Sequence, residues 1–410
     1  MKQLEVVRDP LWNNIRLEPE ALAVVDTPAV QRLRYVRQLG HAFLVYPGAT
    51  HTRFEHMLGA YHLARRALAQ IEETGHRVDR AAAQHITLAA LLHDIGHYPF
   101  SHALEEAGLP HHEALAERHV SAGELAAVLQ RMGVDSRRLL ALIQGARGDP
   151  LVGLVSGSLD VDKLDYLSRD AWMCGVPYGV IDVDRLLMSL TVVPERGLAV
   201  TEKGLAALES LLYAKYQMYR NVYWHHAVRS ATAMFKRLVR QALAAGRLRA
   251  DEVAVSTDDG LIHELQRDDA TGLAQALRER RLAKRALDLP ATELPEGSGE
   301  WIGTDPDLVS MVEDRLAAEV GLEAGELFID FPVKRDMLGL DLPLARRDGS
   351  VVQLAGTGAE SYLGVARVAA ELIRSARRLR VFVLRPAQVA AKRVVGVAAL
   401  PADEVRRQLR

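Results

Sequence analysis

Apolar residues recurring at steps of three and four dominate the first 245 residues and predict helices. ITLAALLHDIGH (86–97) runs an apolar helix into a polar tip, and the four-residue spacing would place His93 and His97 on one helical face. GLAALESLLYAKYQMYRNVYWHHAVRSATAMFKRLVRQALAAG (204–246) reads as one long amphipathic stretch that stops at Gly246. HAFLVYPGATHT (41–52) reads as a turn or short hairpin. Residues 250–288 look helical and charged, and 289–307, rich in Pro and Gly, looks like a linker. Beyond it the period changes. GELFIDFP (325–332), SVVQLAG (350–356) and RRLRVFVLRP (377–386) read as strands, with SYLGVARVAAELIRSAR (361–377) as a helix among them. The expected architecture is mainly α: a helical core over 1–245, a helical extension and linker over 246–307, and a small α+β module over 308–410.

Composition narrows the possibilities. The 410 residues are 49% hydrophobic and 25% charged, as expected of a folded globular chain and not a disordered one. Fifty-one basic and 53 acidic residues leave a net charge of −2, so no global positive field points to nucleic acid or an anionic membrane. A single cysteine, Cys174, excludes an internal disulfide and any thiolate-based zinc site. No apolar run reaches 18 residues and the N-terminus lacks a signal-peptide pattern, so a soluble cytoplasmic protein is expected.

The chemistry concentrates in four places: HTRFEH (51–56), LLHDIGHYPFSH (91–102), HHE (111–113) and DVDKLDYLSRD (160–170). Imidazoles and carboxylates without thiolates suit a Mn, Mg, Fe, Ni or Zn ion with an open position. Such an ion lowers the pKa of a bound water and polarises a phosphoryl oxygen. Histidines beyond the ligand set would serve as proton donors or phosphate contacts.

These motifs, with DTPAVQRLRYVRQLG (26–40) and YPGATHTRFEHMLG (46–59), resemble the HD-domain phosphohydrolases. Within them the chain is most similar to the deoxynucleoside triphosphate triphosphohydrolase branch, that is, to the catalytic core of the SAM-and-HD-domain dNTP hydrolases. The resemblance spans about residues 1–240 and reaches the C-terminal module only in outline. It implies His56, His93, Asp94 and Asp162 as metal ligands. It implies His97 as the acid that protonates the leaving group, with His112 and Glu113 as the pair beside it. Arg53, His102, Lys163 and Tyr166 resemble phosphate contacts, and Lys215 stands where the family often has an arginine, keeping the charge without the planar fork. Gln38, Asp170 and Tyr223 resemble the sugar-binding set, and Leu39 would crowd a ribose 2′-hydroxyl. His41 stands near the implied base position. Asp26, Gln31 and Arg34 match positions that hold an activating guanine nucleotide.

The implied activity is hydrolysis of a dNTP to deoxynucleoside and triphosphate by water attack at the α-phosphorus. The implied cofactor is a divalent metal, Mn or Mg first, with Fe, Ni and Zn also compatible, and the implied assembly is a dimer or tetramer. Two other readings stay open: a phosphohydrolase acting on a monophosphate or signalling nucleotide, and a non-catalytic nucleotide- or nucleic-acid-binding protein. The intact ligand set disfavours the second, as does the near-neutral charge.

Overall fold

The computed structural model describes residues 5–146, 148–332 and 337–409. Its largest apolar core gathers the Arg53–Glu73, Arg80–Leu92, Val161–Cys174 and Leu205–Met218 helices. Three of these helices start where a side chain supplies an acceptor for N–H groups left unpaired at the N-terminus. Thr52 donates through Oγ1 to Glu55, which also takes the Thr52 backbone N–H. Asp79 accepts from the Ala82 N–H at 2.8 Å, and Asp160 from that of Lys163 at 2.9 Å. Gly175, at φ 67°, ends the Val161–Cys174 helix in the left-handed conformation that glycine adopts without steric penalty. Among the described residues no helix is long and apolar enough to cross a membrane.

The expected long helix over 204–246 is two helices, Leu205–Met218 and His226–Ala244, separated by a π turn at Tyr219–Tyr223. The Trp224 N–H reaches back to the Tyr219 carbonyl at 2.8 Å, widening the turn by one residue. Apolar spacing is blind to such an insertion, because the pattern resumes on both sides of it. The Gly40–Arg53 segment is a short 3₁₀ turn, Gly40–Leu44, closed by one antiparallel bridge between Arg37 and Thr52. His93 is the last residue to follow the Arg80–Leu92 helix, and the chain then turns, so His93 and His97 do not share a helical face.

Among the described residues nine strands form three sheets: β1 (Glu5–Asp9) pairs with β2 (Asn13–Leu17); the second sheet runs β3 (Leu190–Val193), β4 (Gly197–Thr201), β7 (Leu342–Ala345), β8 (Val351–Leu354); the third runs β5 (Lys284–Pro290), β9 (Arg378–Val383), β6 (Leu327–Asp330). The three strands expected after residue 308 are present. They do not form a separate unit, however. β7 joins β4 of the helical core in parallel, and Leu363, Ile373 and Ala376 pack into that core. β9 pairs antiparallel with β5, which lies in the segment expected to be helix and linker. The 246–307 stretch therefore holds helices to Arg278, then the strand β5, then short turns and a brief helix, Glu300–Thr304, with Leu294, Trp301 and Ile302 buried.

Close packing sets one firm constraint on the core. Gly59 lies in the Arg53–Glu73 helix where a Cβ would stand 1.8 Å from Asp165 Oδ1 and 2.6 Å from Arg169 Nη2. Gly59→Ala is expected to lower stability by about 3 kcal/mol in urea unfolding, because the buried ion pair must move. Gly396→Ala, with open space around its helix position, should leave the midpoint unchanged or slightly raised.

Candidate metal centre and nucleotide pocket

Four side chains that are distant in the sequence converge at the mouth of the helical core. His56 comes from the first turn of the Arg53–Glu73 helix, His93 and Asp94 from the turn after Leu92, and Asp162 from the start of the Val161–Cys174 helix. His56 Nε2 lies 3.1 Å from Asp162 Oδ1, 3.1 Å from His93 Nε2 and 3.6 Å from Asp94 Oδ2. His93 Nε2 lies 3.5 Å from both Asp94 Oδ1 and Asp162 Oδ1. Neighbouring ligands of an ion bound at ~2.1 Å in octahedral geometry stand roughly 3 Å apart, so the spacing fits.

The ring nitrogens facing away from the centre strengthen this fit. His56 Nδ1 sits 2.8 Å from Asp165 Oδ2, and His93 Nδ1 2.9 Å from the Ala90 carbonyl. In the neutral rings both Nδ1 atoms donate to these acceptors, leaving both Nε2 lone pairs turned inward. Two imidazole lone pairs and two carboxylates then face one another with no donor among them, an arrangement that a cation reconciles. Without a cation, burial alone would pull the His56 pKa down, but hydrogen bonding to Asp162 and Asp165 and the charges of Asp165 and Asp94 lift it to about 10, so a proton on Nε2 then occupies the place among the acceptors that a cation would take. Burial opposes the Asp94 charge too, yet Arg53, His93 and His56 hold its carboxyl well below the usual range.

Asp165 is itself held in place. Arg169 donates to both of its oxygens at 2.8 and 2.9 Å and to Asp9 at 2.8 Å, and the Trp12 indole N–H adds another donor. Asp9 and Trp12 belong to the β1–β2 hairpin, so the N-terminal ribbon braces the histidine from behind. Asp162, Asp165, Tyr166, Arg169 and Asp170 all lie on one face of one helix, spaced three and four apart.

A second group adjoins the first. His97 and His112 stack with ring centroids 3.8 Å apart, and His97 Nε2 is 3.4 Å from Asp94 Oδ1. His112 Nδ1 lies 2.5 Å from Glu105 Oε1, and His102 Nδ1 2.9 Å from Glu105 Oε2. The carboxylate beside His112 is therefore Glu105, whereas Glu113 is exposed on the first turn of the His112–Val120 helix. The reason is geometric: successive residues on a helix diverge by about 100°, so His112 and Glu113 cannot both face the cleft. Gly96 lets this helix in close, since a Cβ there would meet the His112 carbonyl at 2.2 Å. Burial pushes Glu105 up, but its two histidines outweigh that and hold it well below the usual carboxylate range. Burial, then the charges of Arg53, His112 and His102, hold His97 well below 6.5.

The remaining expected residues divide clearly. Arg53 is buried, pairs with Asp94, and also donates to Ser101 Oγ. Gln38 is buried with its Oε1 unpartnered, beside half-buried Leu39. Tyr223, on the π turn, donates to Asp170 Oδ2 at 2.7 Å, and His51 meets Asp170 Oδ1 at 2.8 Å. Tyr166 and Tyr223 rings lie 6.4 Å apart, and burial raises both phenols well above 10. Lys163 donates to the Gly157 carbonyl at 2.8 Å and pairs with Asp160. Lys215 is buried in the Leu205–Met218 helix, and His102 is exposed at the rim. His41 is buried and stacked on Phe100 at 4.5 Å. Asp26 and Arg34 are exposed, and Gln31 links Arg34 to the Val25 backbone: its Nε2 donates to the Val25 carbonyl at 2.8 Å and its Oε1 accepts from Arg34 at 2.7 Å. Arg34 lies over the Phe54 ring at 3.6 Å.

Sequence comparison agrees with this anatomy. The HD domain family matches residues 53–170, and an HD associated region matches 181–361. An uncharacterized protein of Methanocaldococcus jannaschii is 33% identical over 338 residues, covering 81% of this chain and 70% of its own. The deoxynucleoside triphosphate triphosphohydrolase SAMHD1 of Gallus gallus is 28% identical over 264 residues, 54% of this chain, and this chain spans only 43% of that protein's length. A solved structure titled as a phosphohydrolase of Bacteroides thetaiotaomicron shares the fold, with a TM-score of 0.74 at 22% identity, over 94% of this chain and all of that one. The two histidines and two aspartates meeting where the matched domain lies, and the long archaeal match, identify the chain as a member of the HD-domain phosphohydrolase family.

Proposed function

We propose that this protein hydrolyses deoxynucleoside triphosphates, releasing the deoxynucleoside and intact triphosphate. The observation that carries this reading is the convergence of four inward-facing acceptors, His56, His93, Asp94 and Asp162, beside a buried arginine and a stacked histidine pair. When bound there, a divalent cation, Mn or Mg first, supplies charge neutralisation at the α-phosphate and a lowered pKa for the attacking water.

The chain's own residues do the rest. Arg53, Lys163 and Lys215 offset the phosphate charge, with Tyr166 and His102 adding contacts. Water adds to the α-phosphorus and the bond to the 5′ oxygen breaks, so that oxygen needs a proton. His97 stands nearest the role, 3.4 Å from Asp94 and stacked on His112. Burial and surrounding cations keep it neutral, and an incoming polyphosphate reverses that balance, favouring the protonated acid. Glu105 accepts from His112 and His102, fixing both rings. At the other end Gln38, Leu39, Tyr223 and Asp170 would take the deoxysugar. Asp26, Gln31 and Arg34 are proposed as a guanine-nucleotide contact, and the active form as a two-fold homo-oligomer.

The test is a panel of the four dNTPs with Mn²⁺ or Mg²⁺, each with and without GTP, and chromatographic separation of products. Deoxynucleoside plus tripolyphosphate is expected. Stepwise phosphate release, or no turnover in any arm, overturns the reading. Elemental analysis separates the roles: Asp94→Ala should lose both the ion and turnover, whereas His97→Ala should retain the ion and lose about 10²–10⁴ in kcat. Finally, Glu105→Gln should lower kcat about tenfold or more, while Glu113→Gln stays within about twofold of wild type.

A further inference from the structure

The site's walls are two loops. One carries Gln38 and Leu39, and the other carries His97, Ser101 and His102. They touch: a Cβ on Gly40 would stand 2.8 Å from the Phe100 carbonyl, and Phe100 stacks on His41. The second loop is also strained. Phe100 and Ser101 adopt φ 57° and 61° in succession, a left-handed conformation costly for residues with a Cβ and kept only where surroundings impose it.

What imposes it comes from outside the HD domain. Asp258 opens the Asp258–Arg267 helix, and its carboxylate is fully buried. Oδ1 accepts the Phe100 N–H at 2.9 Å; Oδ2 accepts the Arg37 N–H at 3.1 Å and the Arg37 guanidinium at 3.2 Å. One side chain thus joins the backbones of both loops, one residue before Gln38 and one before Ser101. Arg32 ties the same turn from the other side, donating to the Ser256 carbonyl at 2.9 Å, the His97 carbonyl at 2.9 Å and the Ile95 carbonyl at 3.3 Å. Ser101 in turn accepts from Arg53, which pairs with Asp94. A short path, hydrogen bonds joined by the Phe100–Ser101 peptide link, runs from the associated region to Asp94.

We propose that Asp258 is a positioning residue: it sets the separation of the sugar-side loop and the phosphate-side loop, and so couples the associated region to turnover. The link to turnover rests on the dNTP hydrolysis reading, but the clamp itself is a statement about two backbone amides. A carboxylate suits the task because both of its oxygens accept. An amide at the same place presents one acceptor and one donor, and the donor opposes an N–H.

The experiment compares wild type with Asp258→Asn by hydrogen–deuterium exchange of the peptides spanning 36–42 and 96–104, with kcat, KM and metal content measured alongside. Exchange at Arg37 and Phe100 should quicken roughly tenfold with protection elsewhere retained. Turnover should fall about 10- to 100-fold at unchanged metal content. Arg37→Leu, which removes the ion pair but keeps both backbone bonds, should stay close to wild type. Arg32→Gln is the second variant should Asp258→Asn not fold, and it should loosen 95–102 while leaving 36–42 protected. Unchanged exchange in both peptides, uniform quickening across the chain, or an Arg37→Leu variant as impaired as Asp258→Asn would each overturn the proposal. Because exchange needs no substrate, a wild-type protein that hydrolyses no dNTP would end the proposed function and leave the clamp to be judged on its amides.

Discussion

A buried carboxylate that has to stay charged governs this molecule. Asp165 lies at the centre of the helical core with no solvent contact, and only the bidentate Arg169, the Trp12 indole and His56 make its burial tolerable. Its grip on His56 Nδ1 selects the tautomer and turns Nε2 toward the cleft. The absence of a side chain at Gly59 gives it room, and the N-terminal hairpin completes its shell through Asp9. Removing any one partner leaves a charge stranded in apolar surroundings, so the arrangement stands or falls as a whole.

From this centre outward the same logic repeats at decreasing depth. Asp94 is anchored by Arg53, Glu105 by two histidines, and Asp170 by His51 and Tyr223. Each carboxylate has a specific partner rather than a diffuse field, which explains why a chain of net charge −2 can hold a strongly polar cleft. The π turn serves that purpose: the extra residue rotates Tyr223 relative to the Leu205–Met218 helix and lets its hydroxyl reach Asp170.

Much of this was legible in the sequence. Helical periodicity locates the core, and the resemblance carried by DVDKLDYLSRD points to Asp162, Tyr166 and Asp170, which the helix brings onto one face. Asp165 and Arg169 share that face, three and seven residues on from Asp162, and could have been read from the same spacing. Other residues left no such signal. Glu105 meets His112 only because the chain turns back through Gly108, whereas the family resemblance implies Glu113. His51 stood inside a recognised motif without distinguishing itself from its neighbours. Asp258 lies 158 residues from Phe100, and only the tertiary fold brings them together. The C-terminal strands were recognisable by composition, but which strand each would pair with was not, since pairing across long separations depends on the packing of the whole.

That pairing bears on how the chain acquires its structure during synthesis. β4 of the helical core pairs early with β3 but finds its second neighbour only in β7, and β5 finds its own only in β9, so two sheets stay open until residues 342–383 have left the ribosome. Until then the nascent chain carries bare strand edges beside a largely finished helical bundle, the kind of surface that recruits chaperones or sticks to its own kind. The segment 342–383 is thus the closure of the fold that precedes it.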